Sequence, residues 1–252
     1  MPHPIQGKTV FITGASRGIG EAAARRFVAL GANVVLTARS EKALQALAAE
    51  LGSQALAVPC DVADYASVKA AISEAVAHFG RLDVLVNNAG VIDPIARLDE
   101  SDPSEWGKVV DINFKGVYHC LHVALSHMCK QANGVIINIS SGAATGALEG
   151  WSHYCSTKAA VLSLTRCVHK EYAQHGIRCL GLSPGTVATE MQVSIKASGV
   201  NPVSQLDWET HISPEWVGEA IAWLTTDAAQ EYDGGDFSLK TEEGRRAVGL
   251  IA

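Results

Sequence analysis

Short apolar runs rich in β-branched residues recur along the chain, each giving way to a longer stretch whose apolar positions follow a helical period. Thr9-Val10-Phe11-Ile12-Thr13, Asn33-Val34-Val35-Leu36-Thr37, Ala55-Leu56-Ala57-Val58 and Val84-Leu85-Val86 predict the first four strands, and 134–139 and 177–182 two more. Near-continuous apolarity, rather than alternation, marks a strand covered by helices on both faces. Between the strands, helical patterns over 21–30, 41–51 and 64–79 stop at Gly31, Gly52 and Gly80, residues suited to a helix C-cap. Ser101-Asp102-Pro103 opens a further helix with an N-cap and a first-turn proline, and a long pattern runs from Tyr154 to about His175. Strict β-α-β alternation dictates parallel strands with right-handed crossovers: a doubly wound α/β sheet of about seven strands with helices on both faces. No linker, charge block or low-complexity stretch divides 1–252, so one domain is expected.

Composition narrows the classes of function. The 252 residues are 48% hydrophobic and 18% charged, too apolar for a disordered chain. A chain of this length buries roughly 70% of its unfolded surface, so its core needs no disulfide or metal. Twenty Lys+Arg against 26 Asp+Glu give a net charge of −6, and no basic run offers a face to nucleic acid. No stretch approaches the roughly 18 apolar residues of a membrane span, and the first residues lack a basic segment followed by a long apolar one. The six cysteines are scattered without a CxxC pair, as expected of buried thiols in a reducing, cytoplasmic setting. His119, His122 and His127 follow a helical pattern without carboxylates at ligand spacing; they read as surface or interface residues, and no metal is expected.

Chemistry enters after the first strand, where Thr13-Gly14-Ala15-Ser16-Arg17-Gly18-Ile19-Gly20 runs into a helix. Glycines let the main chain approach a pyrophosphate, and the helix N-terminus adds partial positive charge. The spacing is GxxxGxG rather than GxGxxG, but strand before and helix after make this a Rossmann-like dinucleotide turn. The second strand ends in Ala38-Arg39 with no carboxylate before Glu41. A carboxylate there would take a ribose 2′-hydroxyl, whereas Arg39 and Arg17 suit a 2′-phosphate, which points to NADP(H); a solvated Arg39 would leave NAD(H) open. Asp61 and Val62 follow the third strand and Asn87-Asn88-Ala89-Gly90 the fourth. Asp61 is placed for an adenine amino group and the asparagines for ribose or main chain, although both sets also read as loop residues capping the next helix.

Tyr154 and Lys158 share a helix face at i,i+4 spacing. A phenol titrates near 10, and an adjacent ammonium lowering it by about three units would make it an acid/base near neutrality. Ser141, 13 residues before Tyr154, ends the fifth strand where a hydroxyl can donate to a developing oxyanion. Ser140 competes for that role, since alternation turns one of the two away from the crevice. Acyl transfer would need a G-x-S-x-G elbow or a paired histidine, and Ser140-Ser141-Gly142 has neither.

These features stand in one order, together with Asp111-Ile112-Asn113-Phe114-Lys115-Gly116 and Ser183-Pro184-Gly185. The set resembles the short-chain dehydrogenase/reductase family in its NADP(H)-preferring form, from Gly7 to about Asp227. The resemblance implies a tetrad: Tyr154 as general acid and base, Lys158 lowering its pKa and holding the nicotinamide ribose, Ser141 polarising the carbonyl, Asn113 anchoring a water that links Lys158 to solvent. It also implies Val187 main chain at the carboxamide and Thr189 near the phosphates, in the loop that Pro184 and Gly185 begin.

The implied reaction is hydride transfer between a nicotinamide and a small-molecule carbonyl or alcohol. Walls at 91–94, 142–153 and 191–208, with Leu148, Trp151, His153, Met191 and Val193, point to a largely apolar substrate, the region of about 191–212 acting as a lid or as ordinary irregular surface. The close, 228–252, departs from the family: Thr241-Glu242-Glu243-Gly244 stands where Asp-Gly-Gly is usual. A homo-oligomer, dimer or tetramer, is expected, with Val161, Leu162 and Leu164 at a helix interface or in the chain's own core.

Overall fold

The computed structural model describes residues 4–252. One seven-stranded sheet forms the centre, with all pairings parallel and order β3-β2-β1-β4-β5-β6-β7. The strands are β1 (Thr9–Thr13), β2 (Asn33–Ala38), β3 (Ala55–Pro59), β4 (Val84–Asn87), β5 (Gly134–Ile139), β6 (Ile177–Ser183) and β7 (Asp236–Ser238). The helices are α1 (Gly18–Ala29), α2 (Glu41–Leu51), α3 (Tyr65–Phe79), α4 (Pro103–Val110), α5 (Gly116–Gln131), α6 (Ser152–Tyr172), α7 (Glu190–Ser198), α8 (Pro214–Leu224) and α9 (Glu242–Val248).

Period-two alternation sorts the strand side chains into two cores. Val10, Ile12, Val34, Leu36, Ile137 and Leu182 face α1, α2 and α8, while Phe11, Val35, Leu85, Ile136 and Cys179 face α3, α5 and α6. Val161 is buried in the second of these cores with Leu164 packed against it, and Leu162 is buried as well. His119 is buried too, its Nδ1 2.9 Å from the Val62 carbonyl, so the surface reading fails for it.

Side-chain caps mark the starts of α3, α4 and α9. Asp102 accepts from the N–H groups of Ser104 and Glu105, and Asp64 from Ala66, so α3 begins one residue later than its pattern. Two starts differ more. α1 begins at Gly18, making the last two turn glycines its first turn. α6 begins at Ser152, because the polar Ser152 and buried His153 hide the period that Tyr154 makes visible.

Strand order reverses between β1 and β4, and the crevice at such a switch point is where open α/β sheets take ligands. A third apolar cluster (Ile92, Ala143, Trp151, Tyr154 and Ile195) stands above the carboxyl edge of β4 and β5.

Candidate active site

A cavity of about 1390 Å³ runs along the carboxyl edge of the sheet, larger than one small molecule requires. One end is lined by Gly14, Ser16, Arg17, Gly18, Ile19 and Arg39, and its wall continues through Asp61, Val62, Ala89 and Gly90. Tyr154, Lys158 and Ser141 lie at its centre, beside Pro184, Gly185, Val187 and Thr189. Leu148, Trp151, Met191, Ile195 and Leu206 enclose the other, apolar end.

Four expected site residues stand behind this lining. Ala15 is fully buried, its N–H on the Thr37 carbonyl at 2.9 Å. A Cβ on Gly20 would sit 2.3 Å from the Gly14 carbonyl oxygen, so this glycine serves the packing of turn on helix. Asn87 is committed below the sheet edge, donating to Asn138 Oδ1 at 2.8 Å; Asn88 lines the cavity instead. Asn88 Nδ2 bonds the Thr13 and Gly14 carbonyls at 2.9 and 3.0 Å, tying the fourth strand's end to the phosphate turn. Asn113 is clasped to Val91, accepting from its N–H and donating to its carbonyl at 2.8 Å each. The π-helical turn at Asp111–Lys115 brings Asn113 there, an irregularity the helical period does not announce.

The phosphate end is lined by charges of both signs. No side chain caps α1, so the first N–H groups of that helix are left for an anion. A Cβ on Gly14 would stand 3.0 Å from Ala89 Cα, and one on Gly18 3.2 Å from Thr189 Cγ2. Arg17 is paired with Glu190, the first residue of α7, and Arg25, also on the wall, holds Glu21 and Glu50 at 2.8 and 2.6 Å. Arg39 is exposed at the rim and makes no hydrogen bond or ion pair among the described residues. Asp61 has one carboxylate oxygen on the Ala63 N–H at 3.0 Å.

Ser140 and Ser141 both line the cavity: the buried Ser140 donates to Asp236 Oδ2 at 3.1 Å, while the more exposed Ser141 accepts from the Ala143 N–H at 3.2 Å and bonds Tyr154. Lys158 Nζ lies 5.5 Å from the centroid of the Tyr154 ring and donates to the Ile139 carbonyl at 2.7 Å. Burial raises the phenol to about 12, against the opposing bond from Ser141, and draws the ammonium down to about 8. Both groups have left water, which disfavours their charged forms, and the lysine is held by a carbonyl.

The apolar end differs in detail from expectation. His153 faces away, its Nε2 2.7 Å from the Ile92 carbonyl, and Val193 points to solvent. Sequence reasoning missed Gln192, which lines the chamber while mostly buried, and Lys240 and Arg245, cavity-lining residues from the divergent C-terminal segment. Glu21 and Arg25, at i,i+4 spacing, carried a readable signal; Glu190 carried none. Among the described residues no group of three or more His, Cys, Asp or Glu side chains is arranged to hold a metal, and no helix is long and apolar enough to cross a membrane.

A family model described as short chain dehydrogenase matches residues 8–199. The chain belongs to the short-chain dehydrogenase family. This dehydrogenase is 38% identical to a cis-4-hydroxycyclohexanecarboxylate dehydrogenase of Sinomonas cyclohexanicum, over 88% of this chain and 90% of that one. It is 34% identical to a 3-oxoacyl-(acyl-carrier-protein) reductase of Staphylococcus aureus, over 90% and 94%. Among solved structures, a 3-ketoacyl-(acyl-carrier-protein) reductase of Brucella melitensis complexed with NADH superposes with a TM-score of 0.84, at 29% identity over 93% of this dehydrogenase and 97% of that chain.

Proposed function

We propose that this dehydrogenase interconverts a carbonyl compound and its secondary alcohol, with NADP(H) as hydride carrier. The observation that carries the reading is the half-buried Ser141 beside the buried Tyr154 and Lys158, set where a nucleotide-sized crevice meets an apolar chamber. The residues fit such a cofactor: the uncapped start of α1 and the glycine approaches at Gly14 and Gly18 suit its phosphates, Asp61 its adenine, and Val187 main chain its carboxamide. When bound, the nicotinamide would supply hydride in reduction and accept it in oxidation.

The chain's own work is proton transfer and charge placement. Tyr154, protonated at neutral pH because burial holds it up, gives its hydroxyl proton to the nascent alkoxide and retrieves one in the reverse direction. Ser141 donates to the substrate oxygen as charge develops, from a hydroxyl already held by the Ala143 N–H. Lys158 offers its ammonium to the phenolate and to a ribose hydroxyl. With both amide atoms of Asn113 on Val91, a water anchored for Lys158 relies on its main chain. Trp151, Leu148, Met191 and Ile195 exclude water and favour a compact apolar or cyclic substrate, in line with the ring-bearing alcohol in the name of the Sinomonas relative. A homo-oligomer in the cytoplasm completes the reading.

Arg39, exposed at the rim of the crevice, supports NADP(H) as the cofactor. Charge-assisted bonds to a phosphate contribute about 1.5–3 kcal/mol. Arg39→Asp should therefore raise the NADPH dissociation constant about 10- to 100-fold and leave NADH nearly unchanged, as measured by quenching of protein fluorescence. The NADH in the Brucella neighbour and the engagement of Arg17 by Glu190 favour an NAD(H)-linked enzyme as second reading; equal losses for both nucleotides would refute the 2′-phosphate role of Arg39. Oxidation of NADPH across ketones, ketoesters, quinones and aldehydes tests the reaction class, and no turnover with any of them would mark a nucleotide-binding protein without catalysis.

A further inference from the structure

A polar stripe lies beneath α6, and the mechanism above leaves its charged member unused. Asp236, the first residue of β7, stands opposite Gly181 in the parallel register. Its Oδ2 accepts from Ser140 at 3.1 Å and from Ser183 at 2.9 Å. A Cβ at residue 181 would fall 2.4 Å from Asp236 Oδ1, so the glycine leaves the space that the carboxylate fills.

We propose that Asp236 is a positioning residue for the reaction: its carboxylate binds the ends of β5 and β6 from behind and supplies the counter-charge to Lys158. This rests on the roles proposed for Ser141, Tyr154 and Lys158. Ser140 lies between Ile139, whose carbonyl holds the lysine, and Ser141, which meets the substrate oxygen, so one carboxylate anchors the residue joining both functions. Ser183 likewise precedes the 184–189 loop along the crevice. If the two serines needed only an acceptor, an amide would serve without the desolvation that a buried carboxylate carries. Burial pushes the Asp236 carboxyl up; the bonds from Ser183 and Ser140 and the charges of Lys158 and Arg166, all facing it from β6, β5 and α6, draw it back. Its attraction in turn raises Lys158 against the larger effect of burial. The other charged or titratable groups nearby are Tyr154 and His169 on α6, the latter against Gly234, and the Arg178–Asp233 pair at 2.9 Å.

Asp236→Asn keeps an acceptor for the serines and removes the charge. In cofactor-free protein labelled with ¹³C at lysine Cε, and assigned with Lys158→Arg, the wild-type Lys158 signal should titrate near 8. In Asp236→Asn it should titrate about half a unit lower or more, because losing a neighbouring negative charge weakens proton binding by the ammonium. The alkaline limb of the pH–rate profile should move in the same direction, with kcat down about tenfold and KM little changed. Identical lysine titrations, or a superimposable pH profile with only thermal stability lowered, would overturn the proposal. Ser183→Ala, a milder change, should lower kcat about threefold at unchanged KM; undiminished kcat there would also overturn it. A wild-type protein that reduces no carbonyl compound sinks the reaction assignment alone, and the lysine titration still decides whether Asp236 sets the charge.

Discussion

Tyr154→Phe is expected to reduce turnover by about a thousandfold while leaving the NADPH dissociation constant within about twofold of wild type, in keeping with the loss of a positioned general acid. The ring itself stays: Tyr154 is buried, and Trp151 packs edge-on against it at 5.6 Å between centroids. Phenylalanine preserves those contacts and removes only the hydroxyl that Ser141 engages. Single-turnover reduction and fluorescence titration with NADPH separate the two effects, and a variant that keeps its rate would remove Tyr154 from the mechanism. The direction of the pH dependence follows from a phenol raised to about 12. Reduction uses the protonated form, which is abundant at neutrality, whereas oxidation needs the deprotonated one; the oxidation rate of wild type should climb with pH and that of Tyr154→Phe should not.

Gly20→Ala is expected to destabilise the protein by about 3 kcal/mol, the upper range for an overpacked core site, and to lower Tm by about 10 °C. The added methyl would sit 2.3 Å from the Gly14 carbonyl oxygen, 2.7 Å from Asn88 Nδ2 and 2.9 Å from Ala15 Cα. Two of these atoms are main chain, so the phosphate turn itself must shift, and nucleotide affinity should fall more than tenfold. Gly107→Ala is the matched comparison. It lies within α4 with nothing within 4 Å of the added Cβ, and there alanine should stabilise by up to about 1 kcal/mol. Calorimetry on both variants checks the sign as well as the size; an unshifted Tm in Gly20→Ala would show that the turn is softer than its contacts indicate.

The fold was legible because each central strand is apolar on both faces and each early helix ends at a glycine, signals written in consecutive residues. The nucleotide turn and the Tyr154–Lys158 pair were legible for the same reason, as short-range patterns. What escaped depends on partners far apart in sequence. Asn87 and Asn88 are neighbours of one type, and only the strand pairing that places Asn138 beside Asn87 separates a ladder residue from a cavity residue. Ser140 and Ser141 were separable only as alternatives until the β5–β6 register, with β7 beyond it, placed Asp236 against the first. Helical spacing reports the proximity of Tyr154 to Lys158 but not the loss of water around both groups, which raises the phenol and lowers the ammonium. Lys240 and Arg245 lie where the family pattern breaks, so no motif pointed to them.

The Arg17–Glu190 pair spans the phosphate turn and the first residue of α7, with both side chains about 70% exposed. An exposed pair of this kind is worth only about 0–1 kcal/mol and is screened by salt. The link between the two rims of the crevice therefore opens readily and can be exchanged for a phosphate. Raising ionic strength weakens both of the arginine's attachments, whereas the apolar chamber beyond α7 has no charge to screen in Leu148, Trp151, Met191 or Ile195. On the proposed reading, nucleotide affinity should fall as salt rises, whereas the hold on an apolar substrate should change little.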